Sequence, residues 1–157
     1  MRIPRFLPHA AVLATAASVF ACNTHQTLTA VDPSLNWGPA PAVFPPGAQM
    51  AVLQGDPGAT NEFTVRLRMP DGYRIPPHTH PTDEHVTIIS GTFEVGMGST
   101  FKSDSMIALA TGGFVTAPAG HAHFARAQGP TIVQVNAMGP FALTYVNPSD
   151  VPVAARR

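Results

Sequence analysis

Five of the seven histidines in this 157-residue chain fall in two short windows. His78, His80 and His85 form the first, with Glu84 among them, and His121 and His123 form the second. Imidazoles beside a carboxylate are a common donor set for first-row divalent metals. His78 and His80 are two residues apart, and on a strand side chains two apart share a face. Pro81-Thr82-Asp83 reads as a turn, so Glu84 opens the returning strand next door and its carboxylate meets the two imidazoles. Two histidines and one carboxylate on one face make a facial triad. His123 follows Pro118-Ala119-Gly120 and is the fourth candidate, brought across from the first pair by a barrel. Four protein ligands around a six-coordinate ion leave two positions for water, dioxygen or a bidentate oxygen donor.

The neighbouring polar residues rank below these four. His85 alternates with Glu84 and faces the other way. His121 is a candidate to touch the ligands or a substrate if its strand has already begun there; the Gly120 turn is the other place for it. Asp83 reads as a solvated turn residue. Arg66, Arg68, Arg74 and Arg126 are candidates for an anionic substrate, but alternation puts Arg66 and Arg68 on a solvated outer face. Met69, Met97, Met106 and Met138 read as core filling.

These residues need a scaffold, and the sequence from Gln49 onward has a period of two. Phe63, Val65, Leu67 and Met69 alternate with Thr64, Arg66 and Arg68, a half-buried strand. Glu84, Val86 and Ile88 share one face, and Phe93, Val95 and Met97 continue beyond Ser90-Gly91, which reads as a hairpin turn. Segments 114–117, 123–128, 131–137 and 141–146 are further strand candidates. Segment 103–110 is the one place for a helical turn or two. With 17 prolines and 13 glycines between short elements, the pattern is that of an all-β barrel or sandwich.

The length fits one domain with a real core. Nine basic residues balance nine acidic ones, and no basic run exceeds Arg156-Arg157, which argues against a nucleic-acid partner. The single cysteine, Cys22, rules out an intramolecular disulfide and a cysteine-built zinc site.

Residues 1–21 read as an export signal. Arg2 and Arg5 give a positive start, and the uncharged stretch from Ala10 to Ala21 is too short to span a bilayer. Two endings compete. Val19 and Ala21 fit cleavage after Ala21, and the same segment resembles a lipobox that would place a lipid anchor on Cys22. The expected protein is periplasmic, secreted or a membrane-anchored lipoprotein. Without Arg2 and Arg5 it carries seven basic and nine acidic residues, net −2. Residues 22–48 read as a Pro/Gly-rich linker or extended arm, with Trp37 and Phe44 as its anchors on the barrel. Residues 49–147 form the barrel domain and 148–157 a polar tail.

The run Gly72-Tyr73-Arg74-Ile75-Pro76-Pro77-His78-Thr79-His80-Pro81-Thr82-Asp83-Glu84, continuing to Gly91, resembles the first motif of the cupin family at every signature position. Gly112, Pro118, Gly120 and His123 are similar to the second motif at its spacing. Ala127 stands where that motif ends in asparagine, which leaves the local turn in question but not the ligands. The resemblance covers about residues 49–147. It implies a jelly-roll barrel, a homodimer, and one divalent metal (iron, manganese, nickel, copper or zinc) on His78, His80, Glu84 and His123. The expected function is a metal-dependent, dioxygenase-like oxidoreductase acting on a small oxygen-rich molecule. A non-catalytic metal or small-ligand binding module, and a metal-assisted isomerase or lyase, are the alternatives.

Overall fold

The computed structural model describes residues 34–156; the segment expected to be an export signal and Cys22 lie outside them. The described chain is built from β1 (Gly38–Pro39), β2 (Gln49–Gln54), β3 (Glu62–Met69), β4 (Arg74–Thr79), β5 (Glu84–Met97), β6 (Ile107–Ala110), β7 (Phe114–Ala117), β8 (His123–Met138) and β9 (Thr144–Tyr145). Three short 3-10 turns are its only helical pieces. Among the described residues no helix is long and apolar enough to cross a membrane.

All the ladders are antiparallel. They resolve into two layers sharing the long strands β5 and β8. In one layer, β1, β2 and β3 lead to the second half of β8, which pairs with the first half of β5 and so with β7. In the other, β9 and β4 lead to the first half of β8, then the second half of β5, then β6. This is the jelly roll: a sheet curled on itself so that its inner faces make one core.

The core follows from the alternation. In β3, Phe63, Val65, Leu67 and Met69 are buried, while Arg66 and Arg68 point outward to Gln134 and Gln49. Val86, Ile88, Phe93, Val95, Val133 and Val135 close the interior from β5 and β8. Burying each such side chain contributes about 1.5–3 kcal/mol, which is what selects this register.

Several expected elements are arranged differently. Ser90-Gly91 is not a hairpin but an irregularity inside one 14-residue strand, β5. Gly91 has φ +82°, and a Cβ there would lie 2.5 Å from the Pro130 carbonyl oxygen, so no other residue fits without movement. At this point the inward positions change from Glu84, Val86 and Ile88 to Phe93 and Val95, a switch from even to odd numbers. A bulge moves side chains to the other face in this way; Met97, expected on the inward face with Phe93 and Val95, is exposed at the end of the strand. The expected strands 123–128 and 131–137 are one strand, β8, bent near Gly129 at φ +72°. Segment 103–110 gives a 3-10 turn at Ser103–Ser105 and then β6. Only Thr144 and Tyr145 of segment 141–146 enter a ladder. Of the four methionines, Met69 is core, and Met97 and Met138 are exposed.

The segment ahead of β2 packs on the barrel. Phe44 and Ala48 belong to the core cluster, and the Arg68 guanidinium lies 4.5 Å from the centre of the Trp37 ring. Two tyrosines from the barrel hold the segment's carbonyls: Tyr73 donates to Pro45 at 2.5 Å and Tyr145 to Val43 at 2.8 Å.

Candidate metal centre

β4 and β8 bring the first two histidines together as direct neighbours. His78 and His123 are register partners, with ring centres 4.3 Å apart. His123 therefore comes from the adjacent strand, not from across the barrel. The ladder is interrupted between Ile75 and His78, where Pro76 and Pro77 supply no N–H to it. His80 lies just past the end of β4, its ring 4.8 Å from His78 and 5.2 Å from His123. All three imidazoles are about 3% exposed, and each offers a nitrogen within 4.8 Å of the others'.

Glu84 reaches them from the opposite layer. Pro81-Thr82-Asp83 is not a hairpin to a neighbouring strand, because β4 and β5 share no ladder. It carries the chain from one sheet to the other, and Glu84 enters on the inward face of β5 with Val86 and Ile88. Its Oε2 stands 3.6 Å from His80 Nε2 and 3.5 Å from His123 Nε2.

The hydrogen bonds on the far side of each ring fix what faces inward. His78 Nδ1 donates to the Pro76 carbonyl at 2.7 Å, His80 Nδ1 to Ala142 at 2.8 Å, and His123 Nδ1 to His121 at 3.1 Å. A carbonyl only accepts, so each Nδ1 carries a proton, and a ring so held presents a bare Nε2 lone pair to the interior in its neutral form. His80 Nε2 is fully buried and has no hydrogen-bond partner. An orphaned buried nitrogen is costly. Three imidazole nitrogens and a carboxylate oxygen thus converge, a donor set that fits a cation.

The electrostatics agree. Burial, then the neighbouring His123 and His80, push the His78 imidazole down to about 3. Burial also lowers His80, against the pull of Glu84 and the Ala142 carbonyl. Burial alone would raise the Glu84 carboxyl, but the imidazoles, His123 first, outweigh it and hold it below the ordinary carboxylate range. That lowering draws on positive charge at the imidazoles, whereas His78 resists protonation. A divalent ion held here would supply that charge without the proton.

The surrounding contacts explain the remaining polar residues. Phe141 stacks on His80 with ring centres 4.4 Å apart, and its neighbour Ala142 holds the Nδ1 proton. Asp83, expected to be merely solvated, accepts from the Ala119 N–H at 2.7 Å, and the Gly120 N–H donates to the His80 carbonyl at 2.8 Å. These two bonds tie the turn after β4 to the turn before β8. His121 is exposed; its ring bonds the Ala119 carbonyl, and it meets the site only through the carbonyl that orients His123. His85 faces outward against Phe114 and Thr116. Arg126 pairs with Glu94, and Arg74 lies over the Phe101 ring. None of the four arginines lines the cavity beside the histidines.

That cavity is small, about 30 Å³, and its other walls are aliphatic and aromatic. It has room for an ion with a water or two. Among its lining residues, His78, His80, Glu84 and His123 are the only titratable ones.

Comparison with known proteins gives a consistent picture. The family model described as "ChrR Cupin-like domain" matches residues 15–142. No curated protein matches the chain. Similar solved structures include the polyketide cyclase RemF from Streptomyces resistomycificus, 18% identical with a TM-score of 0.61, the match covering 80% of this chain and 90% of that one. A candidate acetylacetone dioxygenase from Methylibium petroleiphilum is 21% identical with a TM-score of 0.57, covering 76% and 80%. The DMSP lyase DddQ from Ruegeria pomeroyi is 24% identical with a TM-score of 0.56, covering 71% and 60%. At these identities the likeness is one of fold.

Proposed function

We propose, from the premise that this chain belongs to the ChrR cupin-like family, that it is a metal-dependent oxidoreductase, dioxygenase-like, acting on a small molecule with oxygen donors. His78, His80, Glu84 and His123 hold one divalent transition metal. The observation that carries this reading is the unpartnered, fully buried Nε2 of His80 within reach of the other three donors. The thiolate-free, three-nitrogen and one-oxygen set suits iron, manganese, nickel, copper or zinc. Such an ion supplies Lewis acidity and, where it is redox-active, electron exchange with dioxygen.

The chain's own part is positioning. The carbonyls of Pro76, Ala142 and His121 fix the tautomer and aim of the three rings, and outer-shell partners of this kind also raise ligand basicity. Glu84 contributes the negative charge. The apolar walls exclude water and strengthen every polar contact inside. Beyond the ligands, no side chain lining the cavity is placed to act as general acid or base. This favours chemistry that draws on the ion over an isomerase or lyase that needs a separate proton carrier. A candidate dioxygenase, a cyclase and a lyase all use the fold, so the fold does not choose among them.

The test begins with elemental analysis of protein purified from its native compartment. One ion per chain is expected, and His80→Ala or Glu84→Ala should lower its retention against a chelator by at least tenfold. Unchanged retention would show the ligand assignment to be wrong. Protein loaded with Fe(II), Mn(II), Ni(II) or Cu(II) should then consume oxygen in the presence of a diketone, diol or phenol. The same lack of a general acid or base favours a second reading, a non-catalytic module holding a metal or small ligand. A tightly retained ligand with no turnover across that panel would establish it.

The same proposal places the protein outside the cytoplasm as a homodimer. Intact mass separates the two forms of the processed chain, since cleavage leaves Cys22 first in both and only the lipoprotein carries its lipid. Light scattering reads the dimer.

A further inference from the structure

The cavity beside the histidines is too small for an organic substrate, so a substrate must sit elsewhere. A second chamber, about 220 Å³, opens next to it. The two share Phe44, Leu67, Glu84, Val135 and Leu143, so they adjoin along these residues, of which Glu84 alone is polar. Val43 and Phe44 close one side of the chamber from the segment ahead of β2, and Phe141, stacked on His80, closes another. Glu84 is the only residue with a polar side chain among those lining it.

A sugar, polyol or dicarboxylate entering this chamber would shed water from several polar groups and find partners for almost none of them. An apolar cavity of about 150 Å³ stays dry and accepts benzene. A chamber of about 220 Å³ therefore suits a body of one six-membered ring with room for a short substituent.

We infer that this chamber is the substrate subsite, and that it selects a small molecule with an apolar, single-ring-sized body and an oxygen donor at one end. The apolar body rests against Val43, Phe44 and Phe141, and the oxygen end points past Glu84 toward the histidines. Only the role of that oxygen end rests on the metal reading above; the shape and polarity of the chamber are properties of the chain alone. Small polar, oxygen-rich compounds are excluded by the same walls.

The experiment compares phenol with malonate as probes. Binding is measured by calorimetry on chelated and metal-loaded protein, with methyl resonances of Val65, Leu67 and Leu143 recorded and metal content determined on the same samples. Phenol should bind the chelated protein at least tenfold more tightly than malonate and move those resonances. Val43→Trp, which fills the chamber from outside the barrel, should weaken phenol binding at least tenfold with metal content unchanged. Met50→Trp, at a residue that lines the chamber and not the cavity beside the histidines, should do the same. Malonate binding as well as phenol, no phenol binding, resonance changes confined to other residues, or phenol binding unaffected by Val43→Trp would each overturn the inference. Failure of the metal reading would appear separately, as absent metal in protein that still binds phenol.

Discussion

At the scale of single residues, the site is defined by which nitrogen of each imidazole carries the proton. Three backbone carbonyls decide this, at Pro76, Ala142 and His121. The cost of holding such rings neutral and buried should be visible in the stability of the metal-free protein. His78 is held near 3 in the fold, against its ordinary value of 6.5. Between those values the unfolded chain binds a proton that the folded chain refuses, so stability falls as pH falls. The contribution is complete above about pH 6.5 and declines toward pH 3, by at most about 1.4 kcal/mol per pH unit from His78. The lowered Glu84 acts in the same direction below the ordinary carboxylate value. The urea midpoint of chelated protein should therefore drop steadily from pH 7 to pH 4, and His78→Gln should flatten that slope. A midpoint independent of pH over this interval would contradict the placement of His78.

At the scale of elements, the turns matter as much as the strands. Asp83 and the His80 carbonyl link the turn after β4 to the turn before β8, and so set His80 against His123. Asp83 is exposed and acts on His80 and His123 only through the turns it ties, so its removal should disturb alignment more than folding. Asp83→Ala is expected to weaken metal affinity about 10- to 100-fold, the usual consequence of losing an outer-shell partner, with little change in the urea midpoint. Asp83→Asn, which keeps an acceptor oxygen, should recover most of it. Equal affinities in all three proteins, measured by chelator competition, would remove Asp83 from the site. The sequence offered a turn at Asp83 but no sign of its partner, because a backbone N–H 36 residues away leaves no trace in residue types. The alternation of β3 and the inward face of Glu84, Val86 and Ile88 were legible, since period two is imposed by burial on one side. Gly91 was legible as a break and misread as a hairpin. A glycine at positive φ serves a turn or a bulge equally well, and only the pairing partner, β8, distinguishes them.

At the scale of the whole molecule, the jelly roll and the convergence of three histidines were readable from two short motifs. The direction from which each residue arrives was not. Sequence proximity suggested that Glu84 neighbours His78 and His80 and that His123 comes from afar; the ladders reverse both. Adjacency in a curled sheet is set by how far the curl goes, which no local pattern encodes. Likewise, Phe44 lies in a stretch without periodicity, and its burial comes from contacts with distant barrel strands.

β5 and β8 run antiparallel for their full length, with Glu84 opposite Ala137 at one end of the ribbon and Met97 opposite His123 at the other. Fourteen residues of strand measure roughly 45 Å when laid out at about 3.3 Å each. Yet the side chains of Glu84 and His123, from opposite ends, stand 3.5 Å apart. The ribbon is thus a hoop whose two ends meet at one point, and an ion seated there is the buckle. Its loss should loosen the hoop at both extremities together, because what binds only the closed form stabilises it by mass action. Hydrogen exchange should then quicken on chelation in peptides spanning 84–87 and 123–126, with the centre of the ribbon, around Gly91 and Thr131, least affected. Quickening confined to the turn that carries His80 would mean that the hoop stays shut unaided.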